Sequence, residues 1–197
     1  MTLRVVVPPH PLIAYWLTML RDTATPAPLY AKSLEELGKW LTYEAIRDWL
    51  PYRKEIVITS EKQTEGKVIE TNVPLLAIPT RPGGLEIWQG ARKLLPNVHL
   101  CLEGVPNNIE VNAGILIFID QIASGKKLMK LISDLKKQEV NSKRIRVVTA
   151  LASKEGLTMI GNEIADLIIY TACIDAELTD EGEISPGIGK PSLRLNT

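Results

Sequence analysis

Gly114-Ile115-Leu116-Ile117-Phe118-Ile119-Asp120-Gln121-Ile122-Ala123-Ser124-Gly125-Lys126-Lys127 is the stretch on which the fold turns. The unbroken apolar run from Ile115 to Ile119 predicts a strand over Gly114 to Ile119, covered on both faces. After a turn of small residues, Lys126 to Lys137 reads as a helix. A buried strand leading through a short loop into a helix is the repeating unit of a parallel α/β sheet, and such sheets bind ligands where strands end. A helix N-terminus offers unpaired N–H groups and a positive dipole end, which suit phosphate. Gly125 permits close backbone approach, Ser124 adds a hydroxyl, Lys126 and Lys127 add charge, and Asp120 is an acid suited to ribose hydroxyls. The same residues also fit a plain N-cap followed by solvated lysines. The segment is not a Walker loop, since the GxxxxGK spacing is absent.

Outward from this unit the alternation continues. Strands are expected at Leu75 to Ile78, Val98 to Leu102, Arg144 to Ala150 and Leu167 to Tyr170. Helices are expected at Leu85 to Leu95 and Lys154 to Ile164. This pattern implies a parallel sheet with right-handed crossovers. Upstream, Leu3 to Val7 reads as a strand and Pro11 to Arg21 as a helix. Ser33-Leu34-Glu35-Glu36 has the form of a capping box opening a second helix to about Trp49, where Pro51 stops it. Glu55 to Thr59 and Lys67 to Thr71 predict a β-hairpin turning through Lys62-Gln63-Thr64-Glu65-Gly66. The expectation is a single domain over residues 1–197, with the hairpin at about 52–72 as an extension.

Composition narrows the function classes. With 23 basic against 23 acidic side chains the chain is neutral, which disfavours a general nucleic-acid binder. The basic residues Lys136, Lys137, Lys143, Arg144 and Arg146 lack interleaved aromatics and read as a solvated helix end and loop. Two histidines, His10 and His99, and two cysteines, Cys101 and Cys173 in apolar runs, argue for buried thiols and against zinc. Trp16, Trp40, Trp49 and Trp88 stand at apolar positions and read as core or subunit-interface residues. No apolar run approaches the ~18 residues of a membrane span. The opening Met1 to Val7 is too short for a secretory core, so the cytosol is the expected location.

The run Tyr170-Thr171-Ala172-Cys173-Ile174-Asp175-Ala176-Glu177-Leu178, with Gly182-Glu183-Ile184-Ser185-Pro186-Gly187-Ile188-Gly189, resembles the uracil-recognition segment of uracil phosphoribosyltransferases, YTAAIDxxLNExGYIxPGLGDAG. His10-Pro11-Leu12-Ile13, Leu17-Thr18, Leu20-Arg21-Asp22 and Tyr43-Glu44-Ala45 with Arg47-Asp48 resemble the HPLIxxKLTxLRD and LxYEATRD blocks of that family. Leu151 to Leu157 resembles LVAAPEGI. In order, the blocks span nearly the whole chain. The resemblance implies a phosphoribosyltransferase-like α/β sheet flanked by helices, with N-terminal helices and a β-hairpin extension. It further implies uracil and phosphoribosyl pyrophosphate (PRPP) as substrates, UMP as product, Mg²⁺ accompanying PRPP, and a homodimer.

Carried over residue by residue, Ala123, Ser124 and Gly125 match the ATG of the family's phosphate loop DPMLATGGS, with Lys126 and Lys127 in place of Gly-Ser. Ile119 and Asp120 stand where the family has Asp-Pro. Ile184 and Gly189 match positions whose backbone reads the uracil edge. Three departures stand out. Pro82 occupies the place of the arginine in PILRAGLGM, with Arg81 one residue early. The substrate arm that follows YRDEET is missing after Gly104. Glu183 replaces a tyrosine, and Lys190 an aspartate beside the base. Two readings follow: an active uracil phosphoribosyltransferase, or an impaired homologue with a nucleotide-binding, regulatory or scaffold role.

Overall fold

The computed structural model describes residues 3–95 and 97–196. The chain runs β1 (Arg4–Val6), α1 (Pro11–Arg21), α2 (Ala27–Ile46), β2 (Tyr52–Ile58), β3 (Gln63–Ile69), β4 (Leu75–Pro79), α3 (Gly83–Ala91) and β5 (Val98–Leu100). It continues β6 (Gly114–Ile122), α4 (Lys126–Lys137), β7 (Ile145–Ser153), α5 (Lys154–Glu163), β8 (Ile168–Asp175), β9 (Glu177–Leu178), β10 (Ile184–Ser185) and α6 (Pro191–Arg194). Six strands form one parallel sheet in the order β1-β8-β7-β6-β4-β5. All nine residues of β7, and every residue of β6 but Gln121, are buried, as both-face coverage requires.

Two apolar cores flank the sheet. On one face Leu17, Leu20, Leu34, Leu37, Leu41 and Ile87 of the N-terminal helices and α3 cover Leu116, Phe118 and Val148. On the other, Leu128, Ile132, Leu135 and Ile160 of α4 and α5 cover Ile115, Ile117 and Val147. The antiparallel pair β2–β3 stands apart as a two-stranded extension. The expected α/β class, parallel sheet and hairpin are all found.

Four local expectations are corrected. The second helix begins at Ala27, not near Ser33: Ser33 lies inside α2, buried, its Oγ donating to the Leu29 carbonyl at 2.7 Å. Pro28, fitted to a first helical turn, starts the helix a full turn or more earlier. The hairpin turns one segment earlier too, because Thr59 Oγ1 accepts the Glu61 and Lys62 amides and donates to the Lys62 carbonyl. The polar run from Gln63 to Gly66 is therefore strand. Arg144 and Arg146 are not solvated: Arg144 donates to the carbonyls of Glu110, Val111 and Ala113, and Arg146 is buried across the Trp49 ring. Finally, β6 and β8 run on to Ile122 and Asp175, lengthening the sheet towards its ligand edge.

Candidate functional site

The C-terminal edge of the sheet gathers three pieces. The first is the loop from β6 to α4. Gly125, at φ +76°, is the left-handed N-cap of α4, a conformation that disfavours a Cβ. A Cβ there would also stand 2.8 Å from Met159 Cε and 2.9 Å from the Gly156 carbonyl. Ser153 Oγ donates to the Ala123 carbonyl at 2.6 Å and accepts the Gly156 amide at 2.8 Å, so the start of α5 locks the loop from beneath. Ser124 is half-buried, and Lys126 and Lys127 are exposed at the first turn of α4.

Asp120 sits at the floor, 8% exposed. Its carboxylate accepts the Gln121 amide at 2.9 Å, and the Gly83 backbone at the start of α3 packs against it so closely that a Cβ there would stand 2.6 Å from the Asp120 Cβ. Burial raises its pKa, opposed by Lys127 and backbone donors. This close packing on Gly83 ties β6 to the β4–α3 turn.

The second piece is a cavity of about 580 Å³ between α4, the end of β4 and the segment after β5. Arg81, Lys127, Lys130 and Lys137 bring cations to its wall and Glu103 and Asp134 carboxylates, Asp134 being paired with Lys137 at 2.7 Å; Leu102, Val105 and Leu131 supply apolar surface. Lys127 Nζ donates to the Arg81 carbonyl at 3.2 Å, so the two basic residues are held side by side. Ser124, Gly125 and Lys126 are not among the lining residues, so the cavity flanks the loop on its Lys127 side.

The third piece is the turn from Ile184 to Gly189. Gly187 has φ +68° and a Cβ on it would fall 2.1 Å from the Ile184 carbonyl. The turn is roped to the rest of the edge. Gln121 Nε2 donates to the Gly189 carbonyl at 3.3 Å, joining the β6 end to the turn. Arg21 pairs with Asp175 through two hydrogen bonds of 2.8 and 2.7 Å and donates to the Gly187 carbonyl at 2.9 Å. Burial raises the Asp175 pKa, but the bonds from Arg21 and the Gly187 amide outweigh it and hold the carboxyl below its ordinary value. Ile184 is buried and Gly189 exposed, while Lys190 pairs with Glu183 at 3.2 Å.

These pieces coincide with a known sequence profile. The profile described as uracil phosphoribosyltransferase matches residues 7–102 and 98–195. The chain belongs to that family. A relative named uracil phosphoribosyltransferase from Nostoc is 36% identical, over 98% of this chain and 97% of its own. One from Synechococcus elongatus is 34% identical over 98% and 96%. Among solved structures, the AQ2163 protein of Aquifex aeolicus superposes with a TM-score of 0.83 at 25% identity, covering 98% of this chain and 97% of that one.

Against the uracil phosphoribosyltransferase pattern, the structure brings Asp120, the β6–α4 loop and Lys127 together with Arg81, and joins the loop strand to Gly189. Lys190 is turned towards Glu183. Sequence reading missed Arg21, Gln121 and Lys130. Arg21 stands out in the sequence only as part of a matching block, and its partner Asp175 lies 154 residues away. Lys130 falls one helical turn beyond Lys127, a spacing that puts both on one face of α4 and was legible.

Proposed function

We propose that the chain transfers the phosphoribosyl group of PRPP to uracil, giving UMP and pyrophosphate. The observation that carries this reading is the Gln121–Gly189 hydrogen bond, which sets a phosphate-type loop beside a base-type turn at the same sheet edge. A phosphoribosyl donor and a flat acceptor base held at those two places would meet over the β6 end.

In this reaction the C1′–N1 bond forms, the C1′–O bond to pyrophosphate breaks, and the N1 proton leaves the base. The protein contributes position and charge. The α4 N-terminus, with Ala123, Ser124 and Gly125, would hold the 5-phosphate through backbone N–H groups, Lys126 adding charge. Arg81, Lys127 and Lys130 would stabilise the departing pyrophosphate from the cavity wall. Asp120 would keep the β4–α3 turn in place beside the ribose. Backbone groups of Ile184 and Gly189 would read the uracil edge, with Lys190 at the rim. No group of three acidic, histidine or cysteine side chains suited to a metal occurs among the described residues. Mg²⁺ would therefore arrive chelated by the PRPP diphosphate.

The impaired-homologue reading draws on Pro82 in the place of the arginine, on the missing substrate arm after Gly104 and on the Glu183 and Lys190 exchanges at the turn. Arg81 and Lys127 beside the cavity answer the first, because they bring cations to the same wall, and the Glu183–Lys190 ion pair answers the third, because the two new charges cancel. A homodimer is part of the proposal: the hairpin exposes Ile56 at 68% and Ile58 at 81%, and α1 exposes Leu12 and Tyr15. No helix among the described residues is long and apolar enough to cross a membrane, in keeping with the cytosolic location proposed. The test is formation of labelled UMP from labelled uracil, PRPP and Mg²⁺. Failure of a folded sample to bind any of the substrates would contradict the proposal.

A further inference from the structure

We infer that Arg21 is a positioning residue for base recognition, acting from the end of α1 through the peptide groups of Gly187. The inference rests on the reading of Ile184 to Gly189 as the base turn. Both polar groups of Gly187 are taken up: its N–H donates to Asp175 Oδ2 at 3.0 Å and its carbonyl accepts from Arg21 Nη1 at 2.9 Å. Arg21 and Asp175 are themselves joined by two bonds, so turn, strand end and helix end form a closed ring of hydrogen bonds. The guanidinium is a planar fork, which suits it to grip a carboxylate and a carbonyl at once. Lysine offers a single compact head and holds neither geometry.

The ring reaches the base-reading atoms by steric means. Gly187 packs so closely on Ile184 that its missing Cβ would lie 2.1 Å from the Ile184 carbonyl, so a shift at Gly187 moves Ile184. On the far side, Ile188 offers its carbonyl to Tyr30 Oη at 3.3 Å, and Gly189 offers its own to Gln121. Arg194 returns the connection: it stacks 4.5 Å from the Tyr30 ring and donates to the carbonyls of Asp22 (2.8 Å) and Thr25 (3.2 Å) just past α1. Arg21 contacts both the strand end and the turn. It does not reach the cavity that holds the phosphate-side cations.

The consequence is selective. Loosening the turn weakens base binding and leaves the phosphate loop, which Ser153 braces from beneath, intact. Misplacing a reacting group by about 1 Å costs on the order of 100-fold in rate. For Arg21→Lys we therefore expect the KM for uracil to rise at least ~10-fold, with PRPP affinity within ~2-fold of wild type. Asp175→Asn, which keeps an acceptor for the Gly187 amide, should show a smaller effect in the same direction. Hydrogen exchange at the amides of 184–189 provides a readout independent of turnover: it should speed up in both variants while the amides of β6 and β7 keep their protection. If the wild type neither binds PRPP nor forms UMP, the functional proposal fails and exchange alone decides this inference. Unchanged exchange at the turn, an equal rise in both KM values, or loss of folding in both variants would overturn it and leave Arg21 as a general brace.

Discussion

The ammonium of Lys190 lies 3.2 Å from the carboxylate of Glu183, closing the two ends of the base turn on each other. These are the two positions at which the chain departs from the uracil phosphoribosyltransferase pattern around the base, tyrosine becoming Glu183 and aspartate Lys190. Taken singly, each change puts an unexpected charge on the turn. Together they cancel, and the lysine is drawn towards its partner.

This pairing predicts non-additivity. Exposed ion pairs contribute about 0.2–1 kcal/mol to stability, so Lys190→Ala should shift the unfolding free energy by no more than that. Lys190→Asp alone sets two carboxylates against each other and should raise the uracil KM several-fold. The double change Glu183→Tyr with Lys190→Asp, which removes the clash, should recover most of the loss. A double-mutant cycle on uracil KM checks it; simple additivity would count against the clasp.

Gly125 tests the phosphate loop. Forcing a non-glycine residue into the left-handed region costs roughly 1–2 kcal/mol, and here the Cβ also meets Met159 and the Gly156 carbonyl below 3 Å. Gly125→Ala should lower the melting temperature by several degrees and weaken PRPP binding at least ~10-fold by displacing the α4 N-terminus. Thermal unfolding and calorimetry read the two effects separately.

Asp120 and Asp175 should respond to pH with opposite signs. The folded pKa of Asp175 lies below its unfolded value, so its stabilisation is present above the unfolded value and is lost as pH falls through the folded one. The folded pKa of Asp120 is raised by burial, so ionisation counts against the native state at neutral pH and the penalty disappears in acid. Asp175→Asn should thus be destabilised at pH 7, and Asp120→Asn should be at least as stable as wild type. Both differences should shrink as pH falls below the ordinary carboxylate range. Denaturant melts at pH 7 and at acid pH measure this.

The hairpin tests the proposed assembly. Light scattering should return twice 21.8 kDa for the wild type. Ile56→Lys with Ile58→Lys should halve that mass without changing the melt of the central sheet. An unchanged mass would place the interface elsewhere.

How much of this could be read from residues alone depended on whether the signal was local. The helix Lys126–Lys137 was legible to the residue, because Leu128, Ile132 and Leu135 mark one buried stripe between basic ends. The parallel sheet followed from β6 and β7, whose buried runs admit no solvated face. Ser33 misled, since a capping signature is also a helix-interior sequence once Pro28 has started the helix upstream. Arg146 misled because its neighbours are basic in sequence, whereas in space it meets Trp49 and Tyr170. At the site, Gly125 and Ser124 were legible as a loop. The Arg21–Asp175 pair and the Gln121–Gly189 bond were not, because each joins residues that only the folded sheet brings together.

The measurement that tests the central claim most directly is calorimetric titration of the purified chain with PRPP and Mg²⁺, followed by UMP and by uracil. The account predicts saturable, micromolar PRPP binding and detectable UMP binding at the same site, with UMP formation when uracil is added. A folded sample that gives no heat with any of the three would contradict it.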